Sequence, residues 1–482
     1  MSEPEIAAAS RPPAALRPPN DASAAEEVYE RADTVWTGSR RKPSTETVGR
    51  RELRGAGGRV AIIDGCRTPF AKAGTDLQAM DVVDLASAAA AELVARTGLD
   101  PAAIQMAVFG CVIPALHAPN LGREVVLRNS LPVDIPGTTV NLACASSNRA
   151  ITFGAEAILS GEAGVVLAGG AESLSNVPIQ FSRKAARVFT ELAKAKSLPQ
   201  RVGILGKLRP ADLAPVAPAI AEYTTGMTMG ESAEKMAKEN DISRRAQDEI
   251  ALLSHQRAAA ATADGRFTEQ IAPTFPPPAY DRAVTKDNGI RNDTSAEALA
   301  KLKPVFDRSY GSLTAGNSSP LTDGGAAVLL MSEERAQALG IEPLGYIRSW
   351  SFTALNPGDQ LLQGPAYAAP AALDAAGATL QDMDLVEMHE AFAAQILSNL
   401  KGFNSPKFAR EELGRSAPMG AIDFDRFNVT GGSIAIGHPF GATGARITTQ
   451  LLYELRRRGG HLGLMTVCAA GGVGFAMVVE RE

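Results

Sequence analysis

The chain has 482 residues, of which 45% are hydrophobic and 21% are charged, and its formal net charge is −5. This length and composition predict a globular protein of two or three domains with a large core. The acidic balance argues against a general nucleic-acid binder, and no apolar run reaches the length of a membrane span.

The first 57 residues differ in composition from the rest. They are rich in Pro, Ala, Ser, Arg and Glu and carry few large apolar side chains. Such a segment cannot bury enough apolar surface to offset its ordering entropy. It lacks the apolar core of a secretory signal, and its acidic residues argue against a transit peptide. We therefore predict that residues 1–57 form a disordered extension with at most one short helix near residues 26–31, and that the protein is cytoplasmic rather than mitochondrial.

Strands and helices are predicted to alternate from residue 59 onward. Apolar runs predict strands over residues 60–64, 106–113 and 165–168, and apolar residues spaced by four predict a helix over 81–97, with Gly98 just after its end. A second helix is expected over residues 150–159. This alternation predicts an α/β fold.

The last third of the chain repeats this order. Strands are expected over residues 344–349, 385–388, 462–467 and 474–479, and helices over 368–376, from 391, and over 445–458. The repetition suggests two copies of one α/β unit that pack face to face and share a site between their loops. We assign residues 58–174 and 320–342 to an N-terminal half, 175–319 to an inserted lobe, and 343–482 to a C-terminal half. Within the lobe, a helical stretch over 231–261 is interrupted near residues 240–241.

Four glycine- and alanine-rich loops each carry a reactive side chain: Cys144, His389, His438 and Cys468. The chain has only four cysteines and five histidines, so two of each fall in such loops. Cys144 lies near the start of a predicted helix, where backbone N–H groups and the helix dipole should lower the pKa of a thiol. Two thiols and two imidazoles predict a nucleophile, a base that activates it, and a second proton-transfer group.

Structural alternatives exist for these residues. A lone cysteine is more often a buried core residue than a nucleophile, and Cys66 and Cys111, in or beside apolar strands, fit that description. His438 could cap a loop, and His389 could be a hydrogen-bonded core histidine. No Cys-x-x-Cys pair occurs, so we expect no zinc site.

These motifs resemble the thiolase family, which comprises acyl-CoA:acetyl-CoA C-acyltransferases. The most specific pieces are Gly431-Gly-Ser-Ile-Ala-Ile-Gly-His-Pro439 and residues 317–325 and 468–474, and the resemblance extends over residues 59–480. It implies a duplicated five-layered α/β thiolase fold with an inserted loop domain. It also implies that Cys144 carries the acyl group as a thioester, that His438 activates Cys144, and that Cys468 exchanges the proton at the α-carbon of acetyl-CoA.

The resemblance assigns two oxyanion holes and a coenzyme A site. One hole would use the side chain of His389 with a bound water, and the other would use the backbone N–H groups of Cys144 and Ala470. The CoA nucleotide would contact the inserted lobe at Arg291 and Ser319. Coenzyme A is then a substrate, and no permanently bound cofactor or metal is expected.

His389 stands where most thiolases have Asn. The substitution resembles one branch, the trifunctional-enzyme β-subunit and its bacterial fatty-oxidation counterparts, which cleave medium- and long-chain 3-ketoacyl-CoA beside a hydratase/dehydrogenase polypeptide. We therefore expect a 3-ketoacyl-CoA thiolase of fatty acid β-oxidation, with a homodimeric core and an α2β2 complex as a further option. The alternatives are a biosynthetic acetoacetyl-CoA thiolase, a ketoacyl synthase, and a non-catalytic acyl-CoA-binding protein on this fold.

Residues 183–209 carry eight Lys/Arg and one acidic residue. They could form a solvated surface, the usual role of a charge run. They could also contact the partner subunit or anionic lipid, with apolar side chains interleaved. Contact with CoA phosphates is the weaker third interpretation.

Overall fold

The computed structural model describes residues 58–216 and 220–482, together with the backbone of a strand at residues 44–48. The strands in chain order are β1 (Ser44–Val48), β2 (Val60–Arg67), β3 (Ala71–Lys72), β4 (Met106–Gly110), β5 (Gly137–Val140), β6 (Val165–Glu172), β7 (Thr322–Ser332), β8 (Gly345–Ala354), β9 (Leu385–Met388), β10 (Leu462–Ala469) and β11 (Val473–Glu480). The α-helices are α1 (Val82–Thr97), α2 (Leu121–Arg128), α3 (Ser146–Leu159), α4 (Arg183–Lys194), α5 (Leu198–Leu205), α6 (Met229–Glu239), α7 (Arg244–Ala263), α8 (Ala296–Ala300), α9 (Glu333–Leu339), α10 (Gly364–Ala376), α11 (Ala393–Asn404), α12 (Pro406–Glu411), α13 (Ser433–Ile436) and α14 (Thr443–Arg458).

The strands of both halves follow one hydrogen-bonded path in the order β5-β4-β6-β7-β2-β8-β11-β10-β9. The halves join where Ala61 and Ile62 of β2 pair antiparallel with Tyr346 and Gly345 of β8. Counting outward from this junction and leaving aside the short β3, which pairs with β7 off this path, each half places its first, last, next-to-last and second strands in turn, and β5 adds an edge strand to the N-terminal half. This mirrored order confirms the predicted duplication.

Helices separate and cover the sheets in five layers. Helices α3 and α14 pack on each other at the centre, between the strands of the two halves. Helix α1 covers the outer face of the N-terminal half and α10 covers that of the C-terminal half. Strands β6 and β7 are buried at every position, which explains their almost continuous apolar sequences. The predicted five-layered α/β fold is therefore confirmed.

Helix boundaries follow the local signals in the sequence. Helix α1 begins after Asp81, which forms a capping box with Asp84, and ends at Gly98 with a φ of 63°. The helical stretch of the lobe is interrupted as predicted, because Asn240 ends α6 and Asp241 has a left-handed φ of 50°. Helix α7 then packs against α11 and α13, so the lobe supports the loops of the C-terminal half.

The predicted N-terminal extension lies outside the described residues except for β1. This strand pairs antiparallel with residues 350–354 of β8, which differs from the disorder predicted for these five residues. The last residues of β8 extend beyond its short pairing with β2, and β1 lies along this part of the strand. The short helix near residues 26–31 lies outside the described residues, and the boundaries of the three parts remain predictions.

Candidate active site

Cys144 lies in the loop between β5 and α3, two residues before the helix begins. The preceding residue, Ala143, has a left-handed φ of 48°, which turns the chain sharply at this point. Burial raises the pKa of the Cys144 thiol to about 11, although the backbone N–H groups of Ala470 and of Cys144 itself oppose this. The expectation of a lowered thiol pKa is therefore wrong for the free protein, because burial outweighs the two N–H groups.

His438 faces this thiol from the opposite half of the molecule. Its Nε2 lies 3.2 Å from the Cys144 Sγ, and its Nδ1 lies 2.6 Å from the Thr443 Oγ1. The Thr443 hydroxyl donates to the Pro439 carbonyl oxygen at 3.0 Å. Since its one hydrogen is used there, Thr443 accepts from Nδ1–H, and the Nε2 lone pair of His438 is left to face the thiol. Burial and then Arg446 lower the pKa of His438 to about 3, which keeps the ring neutral.

His389 lies between β9 and α11, with its ring centroid 4.1 Å from that of His438. Its backbone N–H donates to the Thr466 carbonyl oxygen at 2.9 Å, which fixes the loop against β10. The His389 Nδ1 lies 2.9 Å from the Ser433 Oγ. The Nε2 is buried and has no hydrogen-bond partner among the described residues. A buried polar atom of this kind is free to meet a substrate or a water.

Cys468 lies near the end of β10 and is fully buried. Burial and the neighbouring Cys144 hold the pKa of the Cys468 thiol well above its usual range. Gly471 and Gly472 follow with φ values of 82° and 71°, and this left-handed turn leads directly from Ala470 into β11. The four reactive loops predicted from the sequence therefore meet at one site.

Glu172, at the end of β6, was not identified from the sequence. Its carboxylate accepts hydrogen bonds from the backbone N–H groups of Val112 at 3.1 Å, Ile113 at 2.8 Å and Gly441 at 3.0 Å. It thus ties the loop after β4 to the loop that carries His438. Burial raises the pKa of Glu172 to about 7. The signal in the sequence is an acidic residue that ends a fully apolar strand.

Glu390, next to His389, holds a second set of loops and was also missed. Its carboxylate accepts from the Ser254 hydroxyl at 2.6 Å, the Asn428 amide at 2.7 Å and the Ile434 backbone N–H at 3.2 Å. Ser254 belongs to α7 and Ile434 to α13. The His389 loop is therefore fixed both to the inserted lobe and to the segment that precedes His438.

The two residues expected to contact CoA lie in different surroundings. The backbone N–H of Arg291 donates to the His255 Nδ1 at 3.2 Å. Burial, and then the charges of Arg291 and Lys72, lower the pKa of His255 to about 4, so three basic side chains are grouped here. The backbone N–H of Ser319 instead donates to the Ala391 carbonyl oxygen at 3.0 Å, beside the His389 loop.

Cys144, His389 and His438 are the group of described residues closest to a metal-binding arrangement. One ligand atom from each lies within 4.8 Å of the others. Sulfur and imidazole donors would suit a zinc ion. An ion bound there would occupy the Cys144 sulfur and the His438 lone pair.

The basic segment at residues 183–209 forms α4 and α5, with short loops beside them. Two of its lysines form exposed ion pairs, Lys184 with Asp212 at 2.5 Å and Lys207 with Glu191 at 2.6 Å. Apolar side chains are exposed on the same segment: Leu198, Val202 and Leu205. Within the described part of the chain, no helix combines the length and apolar character needed to cross a bilayer.

Comparison with known proteins accounts for this arrangement of loops. Residues 60–334 match the N-terminal domain of thiolases, and residues 341–481 match their C-terminal domain. The chain belongs to the thiolase family. This confirms the resemblance derived from the Cys144, His438 and Cys468 motifs, and members of the family are acyltransferases.

Named thiolases resemble the chain over most of its length. It is 52% identical to the 3-ketoacyl-CoA thiolase of Serratia proteamaculans and 53% identical to that of Aeromonas salmonicida. Each alignment spans 426 residues, which are 88% of this chain and 98% of the relative. The solved structure of human mitochondrial 3-ketoacyl-CoA thiolase in complex with CoA has a TM-score of 0.74 and 31% identity, with 90% of this chain and 99% of that chain covered. An acetyl-CoA acetyltransferase of Bacillus anthracis has a TM-score of 0.74 and 33% identity, with 87% and 98% covered.

Proposed function

We propose that this thiolase cleaves 3-ketoacyl-CoA with CoA to acetyl-CoA and an acyl-CoA shortened by two carbons. The observation that carries this proposal is the Cys144 thiol, whose Sγ lies 3.2 Å from the Nε2 of the buried imidazole of His438. A thiol next to a base is the arrangement expected of a nucleophile that forms a covalent acyl-enzyme. The names of the bacterial relatives support 3-ketoacyl-CoA as the substrate.

The first half-reaction forms the acyl-enzyme. His438 takes the proton of the Cys144 thiol as the sulfur attacks the 3-keto carbon. Cleavage of the bond between carbons 2 and 3 expels the enolate of acetyl-CoA, and the Cys468 thiol donates the proton that this carbanion needs. Because both thiols have raised pKa values, each proton is present before the reaction and is transferred only as negative charge develops.

The second half-reaction restores both groups. The Cys468 thiolate takes the proton of the incoming CoA thiol, whose sulfur attacks the thioester carbon. The Cys144 sulfur leaves and recovers its proton from His438. The shortened acyl-CoA is then free, and all three side chains have regained their initial protonation states.

Hydrogen-bond donors stabilise the oxyanions in this scheme. The backbone N–H groups of Cys144 and Ala470 both act on the Cys144 sulfur, so they lie close to where the oxygen of a carbonyl carbon bound to that sulfur would develop charge. We assign the second oxyanion position to the His389 Nε2, which is buried without a partner among the described residues. Removing one such donor lowers kcat by about 100- to 1,000-fold in well-studied enzymes.

We further propose that CoA phosphates are attracted to the two cations Lys72 and Arg291, which lie beside His255. Burial and then Arg291 lower the pKa of Lys72, which indicates that the two cations are close together. A negatively charged ligand would relieve this repulsion. The human relative named as a CoA complex supports the ligand, and Ser319 remains a second proposed contact.

Two cysteine variants test the proposed function. Cys144→Ala should abolish thiolysis and prevent any mass increase when the protein is exposed to 3-ketoacyl-CoA. Cys468→Ala should still form the acyl-enzyme from an acyl-CoA, because CoA can leave as a thiolate and take its proton from water, but it should fail to cleave 3-ketoacyl-CoA, whose expelled carbanion needs a proton at carbon. Normal thiolysis by Cys144→Ala would contradict the assignment, and a wild-type protein that binds acyl-CoA without acylation would favour a non-catalytic binding role.

A biosynthetic acetoacetyl-CoA thiolase is the second candidate, because the acetyl-CoA acetyltransferase of Bacillus anthracis has a similar fold. Rates of thiolysis measured for 3-ketoacyl-CoA substrates of increasing chain length separate the two. Activity that persists beyond the four-carbon substrate supports the first proposal. Activity confined to acetoacetyl-CoA supports the second.

The cellular context is a further proposal. We place the reaction in cytoplasmic fatty acid β-oxidation, with a homodimeric core that associates with a hydratase/dehydrogenase subunit. Among the described residues, no strand pairs with the outer edge of β5, directly before the Cys144 loop, which is consistent with pairing between two copies. Affinity purification from the native cell, followed by mass spectrometry, tests the larger complex, and a solution mass of one chain would contradict the dimer.

A further inference from the structure

Each of the two active-site imidazoles contacts one hydroxyl group through its Nδ1. Thr443 lies 2.6 Å from the Nδ1 of His438, and Ser433 lies 2.9 Å from the Nδ1 of His389. A neutral imidazole carries one proton, and the hydrogen bond at one nitrogen decides whether the other nitrogen is a donor or an acceptor. The two hydroxyl groups therefore determine what each histidine presents to a substrate.

The second hydrogen-bond partner of Ser433 is a donor, whereas that of Thr443 is an acceptor. The Nη2 of Arg446 donates to the Ser433 Oγ at 2.7 Å, and a guanidinium group can only donate. The Ser433 hydroxyl still has its own hydrogen to give, and the acceptor it contacts is the His389 Nδ1. With Arg446 already donating to it, the Ser433 hydroxyl uses its own hydrogen at this point only if Nδ1 accepts, which places the His389 proton on Nε2.

We propose that Ser433, fixed by Arg446, is a positioning residue that holds His389 as the Nε2–H tautomer and so makes the buried Nε2 a hydrogen-bond donor. That this donor serves a thioester oxygen rests on the proposed function. The tautomer itself follows from contacts within the free protein.

The arrangement at His438 is the reverse. Thr443 gives its hydrogen to the Pro439 carbonyl oxygen and accepts from Nδ1, so the Nε2 of His438 is an acceptor. Two rings only 4.1 Å apart would then carry opposite tautomers, one suited to taking a proton and the other to donating a hydrogen bond.

Arg446 also favours a neutral donor over a charged one. Its side chain is almost completely buried, with Gln450 as a second contact at 3.3 Å. Burial, and then the neighbouring His438 and Arg446, hold the pKa of His389 well below its usual range. A neutral Nε2–H can donate to a developing oxyanion without giving up its proton.

Nuclear magnetic resonance of protein labelled with ¹⁵N-histidine tests the tautomers directly in the absence of substrate. The chain has only five histidines, and the two signals can be assigned with His389→Asn and His438→Asn. We expect the proton on Nε2 in His389 and on Nδ1 in His438. A proton on Nδ1 of His389 in the wild-type protein would overturn the inference, whatever the activity.

Removal of the Ser433 hydroxyl tests its kinetic consequence. Ser433→Ala should lower kcat by about 10- to 100-fold with little change in KM, as expected when an oxyanion donor is disturbed. In the His389→Asn variant, Ser433→Ala should cause little further loss of kcat. An asparagine amide always carries N–H donors, so no neighbouring hydroxyl is needed to fix its tautomer. Equal losses in both backgrounds would show that Ser433 is merely structural and would overturn the inference.

Two further variants serve as controls. Ser433→Thr keeps the hydroxyl and should keep the Nε2–H signal, which allows a test if Ser433→Ala does not fold. Ser398→Ala removes another buried serine hydroxyl, one that donates to the Ala394 carbonyl oxygen within α11, and should leave kcat unchanged. If the wild-type protein lacks thiolysis but has the expected tautomers, the proposed function fails and the positioning role of Ser433 stands.

Discussion

The raised pKa of Cys144 distinguishes this site from one that holds a preformed thiolate–imidazolium pair. A thiol with a pKa of about 11 beside an imidazole with a pKa of about 3 remains uncharged at neutral pH. The thiolate is therefore a minor form at pH 7. The charge then develops only during attack, when the N–H groups of Cys144 and Ala470 can stabilise it.

Alkylation by iodoacetamide should therefore respond steeply to pH. Since the thiolate reacts and the pKa is raised, we expect the rate at Cys144 to increase about tenfold per pH unit from pH 7 to 10. The measurement uses Cys468→Ala and locates the modification by mass spectrometry. Urea-unfolded protein is the matched control, in which the rate should level off near pH 8.5, the usual pKa of cysteine. A plateau near neutral pH in the folded protein would contradict the neutral pair.

The sequence identified the reactive residues of the site better than it identified the residues that position them. Cys144 and His438 stand in glycine-rich loops, and the small neighbouring residues indicate that a substrate can reach the reactive side chain. Ser433 stands in the same glycine-rich loop as His438, and Arg446 stands in a predicted helix, but neither side chain is a nucleophile or a general base that would mark it in the sequence. Their importance depends on contacts between α13, α14 and the His389 loop, which only the folded chain creates.

Among the secondary-structure elements, Glu172 at the end of β6 connects two loops that belong to different halves. Gly170 also approaches the His438 loop closely, since a methyl group at Gly170 would lie 2.0 Å from the Gly441 carbonyl oxygen. The position of His438 relative to Cys144 therefore depends on a small and fully buried contact region. A change there should affect catalysis as well as stability.

Glu172→Gln should show this coupling. Glutamine has one acceptor oxygen, so its amide group would face at least one of the three backbone N–H groups that Glu172 now satisfies. We expect a loss of about 1–3 kcal/mol in the free energy of unfolding. We also expect a fall in kcat of about 10-fold, since small misplacements of reacting groups are costly. Chemical denaturation and steady-state thiolysis measure the two effects.

Glu234→Gln is the matched control for this change. Glu234 is also buried and accepts from the backbone N–H groups of Ser312 and Leu313, but it lies in the inserted lobe. It should lose a similar free energy of unfolding and retain kcat. Equal falls in kcat for both variants would mean that Glu172 acts only through general stability.

At the level of the whole molecule, the duplication of the α/β unit could be predicted from the sequence, but the strand pairing that joins the two halves could not. Apolar runs and loop motifs recur in both halves, so two α/β units could be expected. The pairing of β2 with β8 involves only residues 61–62 and 345–346, and such a short contact leaves no pattern in sequence. Strand β1 was missed for a related reason, because its five residues pair only with an edge that the folded C-terminal half provides.

Charge is distributed unevenly over the molecule, and this bears on the interpretations of residues 183–209. The chain as a whole carries −5, whereas this segment carries a net charge of +7 from eight basic residues and one acidic residue. A uniformly acidic surface would be repelled by anionic lipid, so any attachment must come from the local patch. The segment combines that charge with exposed Leu198 and Val202, whose side chains are 74% and 63% accessible. We propose contact with an anionic lipid surface.

Vesicle co-sedimentation tests this proposal. The protein should bind vesicles that contain phosphatidylserine at low salt, bind less as salt screens the charges, and fail to bind neutral phosphatidylcholine vesicles. Leu198→Asp combined with Val202→Asp should abolish binding and leave thiolysis unchanged. Leu339→Asp changes an exposed leucine in α9 and should have no effect on either. If the double variant still binds, the segment is not the attachment site. If wild-type protein binds no vesicle and the double variant instead loses a co-purifying polypeptide, the segment contacts a partner subunit.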